Sequence, residues 1–315
     1  MPTYLDILDM LVCPRAKAQG RIAPLSAGKD GLRGPLKTYP VLEDVPDLRV
    51  DDLGDTSYDT IHVQKALRNK LEAMSDRMDA LVESLGMRAE EINGKDVLLA
   101  GAGAGVELAL LSRFDPKRIV AIDFSGHIRA LKSNAELFHP RTIFLQGDLC
   151  NLPFAGQTFD YVINSGVMHH TRSPELAFRE LHGVLRPGGV IVMGHIYTPN
   201  DHNRKITMGR NRHGFHLMDR DKALKIMHSQ AARYTWACRH GLLKHLKKYP
   251  RLFGMHIEMS GRCITDFETN LTSACDYYLC EYRHTITPEE VLSWYDHVGM
   301  QAHLTAKGYY GKKPS

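Results

Sequence analysis

Three glycines alternate in Gly101-Ala102-Gly103-Ala104-Gly105, directly after the apolar run Val97-Leu98-Leu99-Ala100. Glycines at this spacing let the backbone turn sharply and approach a ligand closely. A helical pattern opens at Val106, and a helix start offers N–H groups and a positive dipole end to an anion or carboxylate. Two acids follow. Asp123 closes the apolar run Ile119-Val-Ala-Ile and is placed to accept both hydroxyls of an adenosine ribose. Asp148, after Phe144-Leu-Gln-Gly, can accept from the exocyclic amine of an adenine. Asn164 and Ser165 end another apolar run. His169 and His170 come next, and a histidine there has a pKa suited to a general base or acts as a structural hydrogen-bond partner. His195 and Tyr197 leave a further apolar run in the same way. Tyr282, Arg283 and His284 form a last polar group, in which Arg283 suits a carboxylate or phosphate.

The elements that must position these residues alternate. Apolar runs predict strands over Lys95–Ala100, Arg118–Asp123, Thr142–Gln146, Asp160–Asn164 and Val190–Gly194. Helices are expected between them, over Val106–Phe114, Gly126–Phe138 and Pro174–Leu185, the last stopped by Arg186-Pro-Gly-Gly. This alternation predicts an α/β fold with a parallel, doubly wound sheet, whose ligands lie at the carboxyl ends of the strands. Ahead of it, apolar residues recur at helical spacing from Thr60 to Leu85; Tyr58 before them either packs there or nears the ligand, and packing is the stronger reading.

Taken in order, the glycine loop, Asp123, Asp148 and Arg186-Pro-Gly-Gly resemble the class I S-adenosylmethionine-dependent methyltransferases. The resemblance covers about 97–197 and returns at 287–313. It implies a Rossmann-like methyltransferase sheet with S-adenosylmethionine as cofactor. Gly101, Gly103 and Gly105, with Ala102, would hold the methionine end through the backbone. Asp123 and Phe124 would meet the ribose, Asp148 and Leu149 the adenine, and Asn164 and Ser165 the sulfonium. One position departs: the family commonly has an acid two residues before the first glycine, where this chain has Leu99. Ser165-Gly-Val-Met-His169-His170-Thr resembles a run of the same group, so His169, His170, Tyr282 and His284 are the catalytic candidates, and His195, Tyr197 and Arg283 the substrate-binding ones. The first fifty residues resemble a short zinc-ribbon-like module that accompanies several methyltransferases, but of its metal ligands only Cys13 is present. No metal is expected, and none of the six cysteines forms a C-x-x-C pair.

The expected organisation is a degenerate zinc-ribbon-like module at 1–50, a linker and covering helices at 51–93, the cofactor-binding core at 94–197, a basic helical insertion or substrate cap at 198–285, and the C-terminal part of the core at 286–315. The chain carries a net charge of +4, with 43% hydrophobic and 24% charged residues. Residues 200–262 hold 14 Lys/Arg against 4 Asp/Glu, a net +10 that leaves the remainder at −6. That asymmetry points to an anionic partner or to a solvated basic face. No apolar run approaches a membrane span and no basic leader opens the chain, so a cytoplasmic location is expected. The function expected is transfer of a methyl group to O or N of a polar, anionic or neutral small molecule. The alternatives are non-methyl use of the same cofactor (aminocarboxypropyl transfer or internal cyclisation) and methylation of RNA.

Overall fold

In residues 2–51 short elements follow one another closely. A 3-10 helix over Tyr4–Met10 is opened by a capping box between Thr3 and Asp6, and a one-turn helix spans Pro14–Lys17. Five short strands follow: β1 (Ser26–Gly28), β2 (Gly31–Arg33), β3 (Thr38–Tyr39), β4 (Val41–Leu42) and β5 (Val45–Pro46). The computed structural model describes residues 2–51, 78–259 and 262–315. Tyr58 and most of the helical pattern from Thr60 lie outside the described residues; its end is the helix Met78–Leu85.

The first fifty residues share one core with the main sheet. Ile7, Leu11, Leu32, Tyr39 and Leu48 belong to the same apolar cluster as Ile143, Leu145, Phe154 and Phe159. Backbone bonds bind them to it: Leu48 N–H donates to Gln146 O (2.8 Å), Val12 N–H to Pro153 O (3.0 Å) and Ala155 N–H to Met10 O (3.1 Å). Cys13 is buried, and its sulfur accepts from Ala16 N–H (3.4 Å) as the cap of the helix Pro14–Lys17, with the Tyr39 hydroxyl also 3.4 Å away.

The main sheet is built from β6 (Asp96–Ala100), β7 (Arg118–Asp123), β8 (Thr142–Gln146), β9 (Phe159–Ser165), β10 (Leu185–Gly194), β11 (Gln301–Leu304) and β12 (Gly308–Lys312). Its order is β11-β12-β10-β9-β6-β7-β8. The five strands β6 to β10 are parallel, and β12 is antiparallel to β10 and to β11. This is the expected doubly wound α/β sheet, with strand order reversing between β6 and β9. Side chains alternate between its faces. Leu98, Val120, Ile143, Val162 and Ile191 face the helices Pro174–Val184 and Pro288–His297. Val97, Leu99, Ile119, Tyr161 and Val192 face Val106–Leu111 and His127–Ser133. Thr287 and Glu290 form a capping box that opens the helix Pro288–His297.

Three boundaries differ most from the sequence reading. The helix expected over Val106–Phe114 ends at Leu111. Arg186-Pro187-Gly188-Gly189, expected as the turn before a strand at Val190, runs inside β10 as a register shift between Leu185 and Val190. A Cβ on Gly189 would come within 2.8 Å of Asp160 O, so only glycine lets β10 pass β9 this closely. The helix expected over Gly126–Phe138 breaks at Asn134 into His127–Ser133 and a 3-10 turn, Ala135–Leu137. At the amino ends of the strands lies a charge network. The Asp96 carboxylate accepts from Arg118 Nε (3.0 Å) and Nη2 (2.9 Å), and Arg186 Nη1 bridges Asp96 (3.3 Å) and Asp160 (2.8 Å).

The chain divides into two compact units, and Tyr197–Thr285 supplies the second. Its described residues form the helices Asp201–His213, Arg220–Arg239, Leu243–Lys248 and Phe267–Tyr278 around Ile206, Phe215, Met227, Tyr234, Leu246 and Tyr278. Asn200, Asp219 and Asp266 each cap a helix by accepting from the N–H three residues on. No described helix is long and apolar enough to cross a membrane.

Candidate functional site

The polar residues singled out in the first unit collect at the carboxyl ends of β6, β7, β8, β9 and β10. The glycine loop folds back on β7: Gly101 N–H and Ala102 N–H both donate to Ile122 O (2.8 and 3.2 Å). Gly101, Gly103 and Gly105 have φ of +92°, +47° and +82°, the left-handed region open to glycine. A Cβ on Gly101 would collide with Cγ2 of Val167 and come within 2.8 Å of its Cγ1. The Asp123 carboxylate pins the loop, with Oδ2 accepting from Gly103 N–H (2.7 Å) and Oδ1 from Ser125 N–H (2.9 Å). The next residue, Phe124, carries the guanidinium of Arg49 over its ring at 5.6 Å. Arg49 is itself buried and paired with Asp47 at 2.6 Å.

Beyond β8, Asp148 accepts from Cys150 N–H (2.8 Å), and its other oxygen lies 3.8 Å from Arg172 Nε. Leu149 is buried in the apolar cluster beside it. At the end of β9, Asn164 is wholly buried and donates from Nδ2 to Ala100 O (2.8 Å), tying β9 to β6 where strand order reverses. Its Oδ1 has no hydrogen-bond partner among the described residues. Ser165 lies against Gly194 of β10, its register partner. The rings of His169 and His170 are 4.3 Å apart, and His169 lies 6.2 Å from His195. His195 has φ +41°, an uncommon conformation for a side chain of this size. The structure thus brings Gly101, Ala102, Gly103, Gly105, Asp123, Phe124, Asp148, Leu149, Asn164, Ser165, His169, His170 and His195 to one end of one sheet.

The other candidates belong to the second unit. Tyr197 is buried, its O–H donates to Asp276, and the Arg283 guanidinium lies 4.6 Å over its ring. Burial, then the Asp276 carboxylate, push the Tyr197 phenol well above its ordinary pKa, so it is a hydrogen-bond donor at neutral pH. Arg283 donates from Nη1 to Thr207 Oγ1 and from Nη2 to Asn203 Oδ1, both 2.7 Å. Tyr282 is exposed and His284 half-buried. A cleft of about 420 Å³ borders this group, with Asn200, Arg204, Thr207 and Thr285 in its wall. Sequence reasoning missed Asn203, Thr207, Asp276 and Arg49; a polar residue every third or fourth place from Asn203 was the available signal for the first two, and Arg49 had none.

The first-unit site fits S-adenosylmethionine. A buried amide oxygen without a partner, Asn164 Oδ1, is an acceptor where strand order reverses, and the pinned glycine loop leaves a side-chain-free approach beside it. The fold is that of a Rossmann-like α/β domain. Residues 98–193 match a family described as a methyltransferase domain. Three curated relatives align with this part of the chain. A 2-methyl-6-phytyl-1,4-hydroquinone methyltransferase of Oryza sativa is 30% identical, over 38% of this chain and 33% of its own. An erythromycin 3''-O-methyltransferase of Saccharopolyspora erythraea is 32% identical, over 40% and 41%. A tRNA U34 carboxymethyltransferase of Idiomarina loihiensis is 27% identical, over 40% and 40%. The matches therefore span well under half the length of these relatives. Residues 98–193 thus form a methyltransferase domain, for which the match implies S-adenosylmethionine as cosubstrate.

Proposed function

We propose that the protein transfers a methyl group from S-adenosylmethionine to O or N of a polar small molecule. The observation that carries the reading is the glycine loop held on the Asp123 carboxylate beside the buried Asn164, at the carboxyl ends of β6, β7 and β9. Backbone groups of Gly101 to Gly105 would hold the methionine end, with Asn164 Oδ1 as an acceptor for its ammonium. Asp123 would accept from the ribose and Asp148 from the adenine amine. Leu99, where an acid is common in the family, is buried in the apolar cluster of its sheet face, so its side chain offers the cofactor no polar atom. When bound, S-adenosylmethionine supplies an already activated methyl group, so the chain's part is alignment and exclusion of water. His169, His170 and His195 stand where an acceptor losing a proton would need a base. The erythromycin enzyme, named for O-methyl transfer to a small molecule, supports this acceptor class.

A specific observation favours a second reading, methylation of RNA. From Lys222 to Ile257 the second unit contains no Asp or Glu but eight Lys/Arg, and one relative is named for a tRNA nucleotide. Incubation with S-adenosylmethionine and separate pools of metabolites and RNA distinguishes the readings. S-adenosylhomocysteine formed with the metabolite pool supports small-molecule methylation. Methylthioadenosine as product sinks methyl transfer and favours aminocarboxypropyl transfer. Turnover only with RNA, lost steeply as salt rises, selects the second reading.

A further inference from the structure

Along the helix Asp201–His213 the polar residues Asn203, Thr207 and Arg210 fall on one face, three or four positions apart. Against that face lies the segment 280–283. Arg210 is 8% exposed, and its Nη2 donates to two backbone carbonyls, Cys280 O (2.6 Å) and Glu281 O (2.8 Å). Two residues on, Arg283 lays its fork on Thr207 and Asn203. So two guanidinium groups share one seam within the second unit. Among the described residues neither pairs with a carboxylate. Each also keeps a buried Nε–H without an acceptor, and the buried Nδ1 of His216 is unpartnered next to Arg210. Of the nearby acids, Asp276 takes the Tyr197 hydroxyl and Glu258 lies 4.0 Å from His202.

A buried guanidinium is strongly disfavoured unless an anion compensates it, and backbone carbonyls supply only partial charge. Arginine differs from lysine in offering a planar fork that matches the two oxygens of a carboxylate or phosphate. Thr207, which Arg283 holds, also lines the cleft, together with Arg204 and Asp201, which pair with each other.

We infer that Arg210 and Arg283 form an oxyanion-binding subsite of the second unit, which takes a carboxylate or a phosphate monoester. The inference rests on the methyl-transfer reading only in making that oxyanion part of the acceptor molecule; binding of the anion itself does not depend on it.

The test uses the full chain without S-adenosylmethionine. Inorganic phosphate and succinate are titrated separately by calorimetry at constant ionic strength set with chloride. At least one of them binds saturably, and which one distinguishes a phosphate from a carboxylate ligand. Arg210→Lys and Arg283→Lys keep the charge but lose the fork, and each weakens binding at least tenfold, while Lys244→Gln, elsewhere in the unit, leaves it unchanged. Should a lysine variant fail to fold, the arginine Nε–H resonances of the unaltered chain decide: two of them shift with the anion. Absence of saturable binding by both anions, equal affinity in the lysine variants, or unmoved Nε–H resonances overturns the inference. Binding of S-adenosylhomocysteine, measured in parallel, reports on the methyl-transfer reading separately.

Discussion

Replacing Gly101 by alanine puts the glycine loop to a quantitative test. At φ +92° an L side chain is strained by roughly 1–2 kcal/mol. The added methyl also collides with Val167, whose Cγ1 and Cβ would lie 2.8 and 2.9 Å away. Overpacking of this kind costs about 1–3 kcal/mol. If the loop yields instead of Val167, the sum of about 2–5 kcal/mol falls on cofactor binding, a loss of roughly 30-fold to several thousandfold. Val167→Ala removes both Cγ atoms and leaves the Cβ, so it relieves part of the collision and none of the strain. In a double-mutant cycle read by S-adenosylhomocysteine calorimetry, the pair Gly101→Ala and Val167→Ala should therefore bind better than the two single effects predict, by about 1–2 kcal/mol. Urea melts of all four proteins separate loss of binding from loss of folding. Wild-type affinity in Gly101→Ala, or strict additivity in the cycle, refutes the assignment of this loop as the methionine-end cradle.

Asp123→Ala removes the acceptor of two backbone N–H groups as well as the ribose partner, and at about 1.5–3 kcal/mol per charge-assisted bond it should weaken S-adenosylhomocysteine at least tenfold; calorimetry showing unchanged affinity refutes the pose. Burial raises the Asp96 carboxyl pKa, but Arg118, with Lys117 and Arg186, outweighs it and holds the group below the ordinary carboxylate range. Its folded pKa is the lower one, so its contribution is fully present above the unfolded value of about 3.9 and is lost as pH falls through the folded value. Asp96→Asn should cost about 3–5 kcal/mol near pH 7, and the gap between the urea midpoints of variant and wild type should begin to narrow as pH falls below about 4; a constant gap refutes this account. Thr287→Ala breaks a capping box and should cost about 1 kcal/mol, read as a lower urea midpoint with S-adenosylhomocysteine affinity retained.

Much of the sheet could be read from local pattern. Arg118–Asp123 and Thr142–Gln146 are continuous apolar runs ended by polar residues, and both strands begin and end where that pattern does. Because the strands are parallel, the residue after each run lies at one end of the sheet, which is how Asp123, Asp148, Asn164 and His195 come together. What escaped the sequence depends on partners far along the chain. The helix Asp201–His213 has mostly polar residues; its caps, Asn200 and Gly214, and the docking of Arg210 and Asn203 hold it in place of an apolar stripe. Arg49 reaches Phe124 because the Leu48 backbone pairs with Gln146, a contact without a local signature. The left-handed turn at His195 is equally silent, since histidine's enrichment at positive φ is too weak to announce a single position.

The pairing of Asp47 and Leu48 with Gln146 has a consequence for how the chain assembles. β8 is the last strand of the sheet on its side, and this segment pairs with its outer edge at Gln146. Lys17 also reaches Leu152 and Glu180, across 135 and 163 residues of sequence. This segment therefore finds its partner only after β8, about a hundred residues further along the chain, has been made. Contacts of such span slow folding, and they leave an unpaired strand edge exposed meanwhile. A chain deprived of its first fifty residues would lose that bridge and bare the apolar face that Ile7, Leu11, Leu32, Tyr39 and Leu48 cover. It would be expected to self-associate through β8 rather than remain a smaller working enzyme.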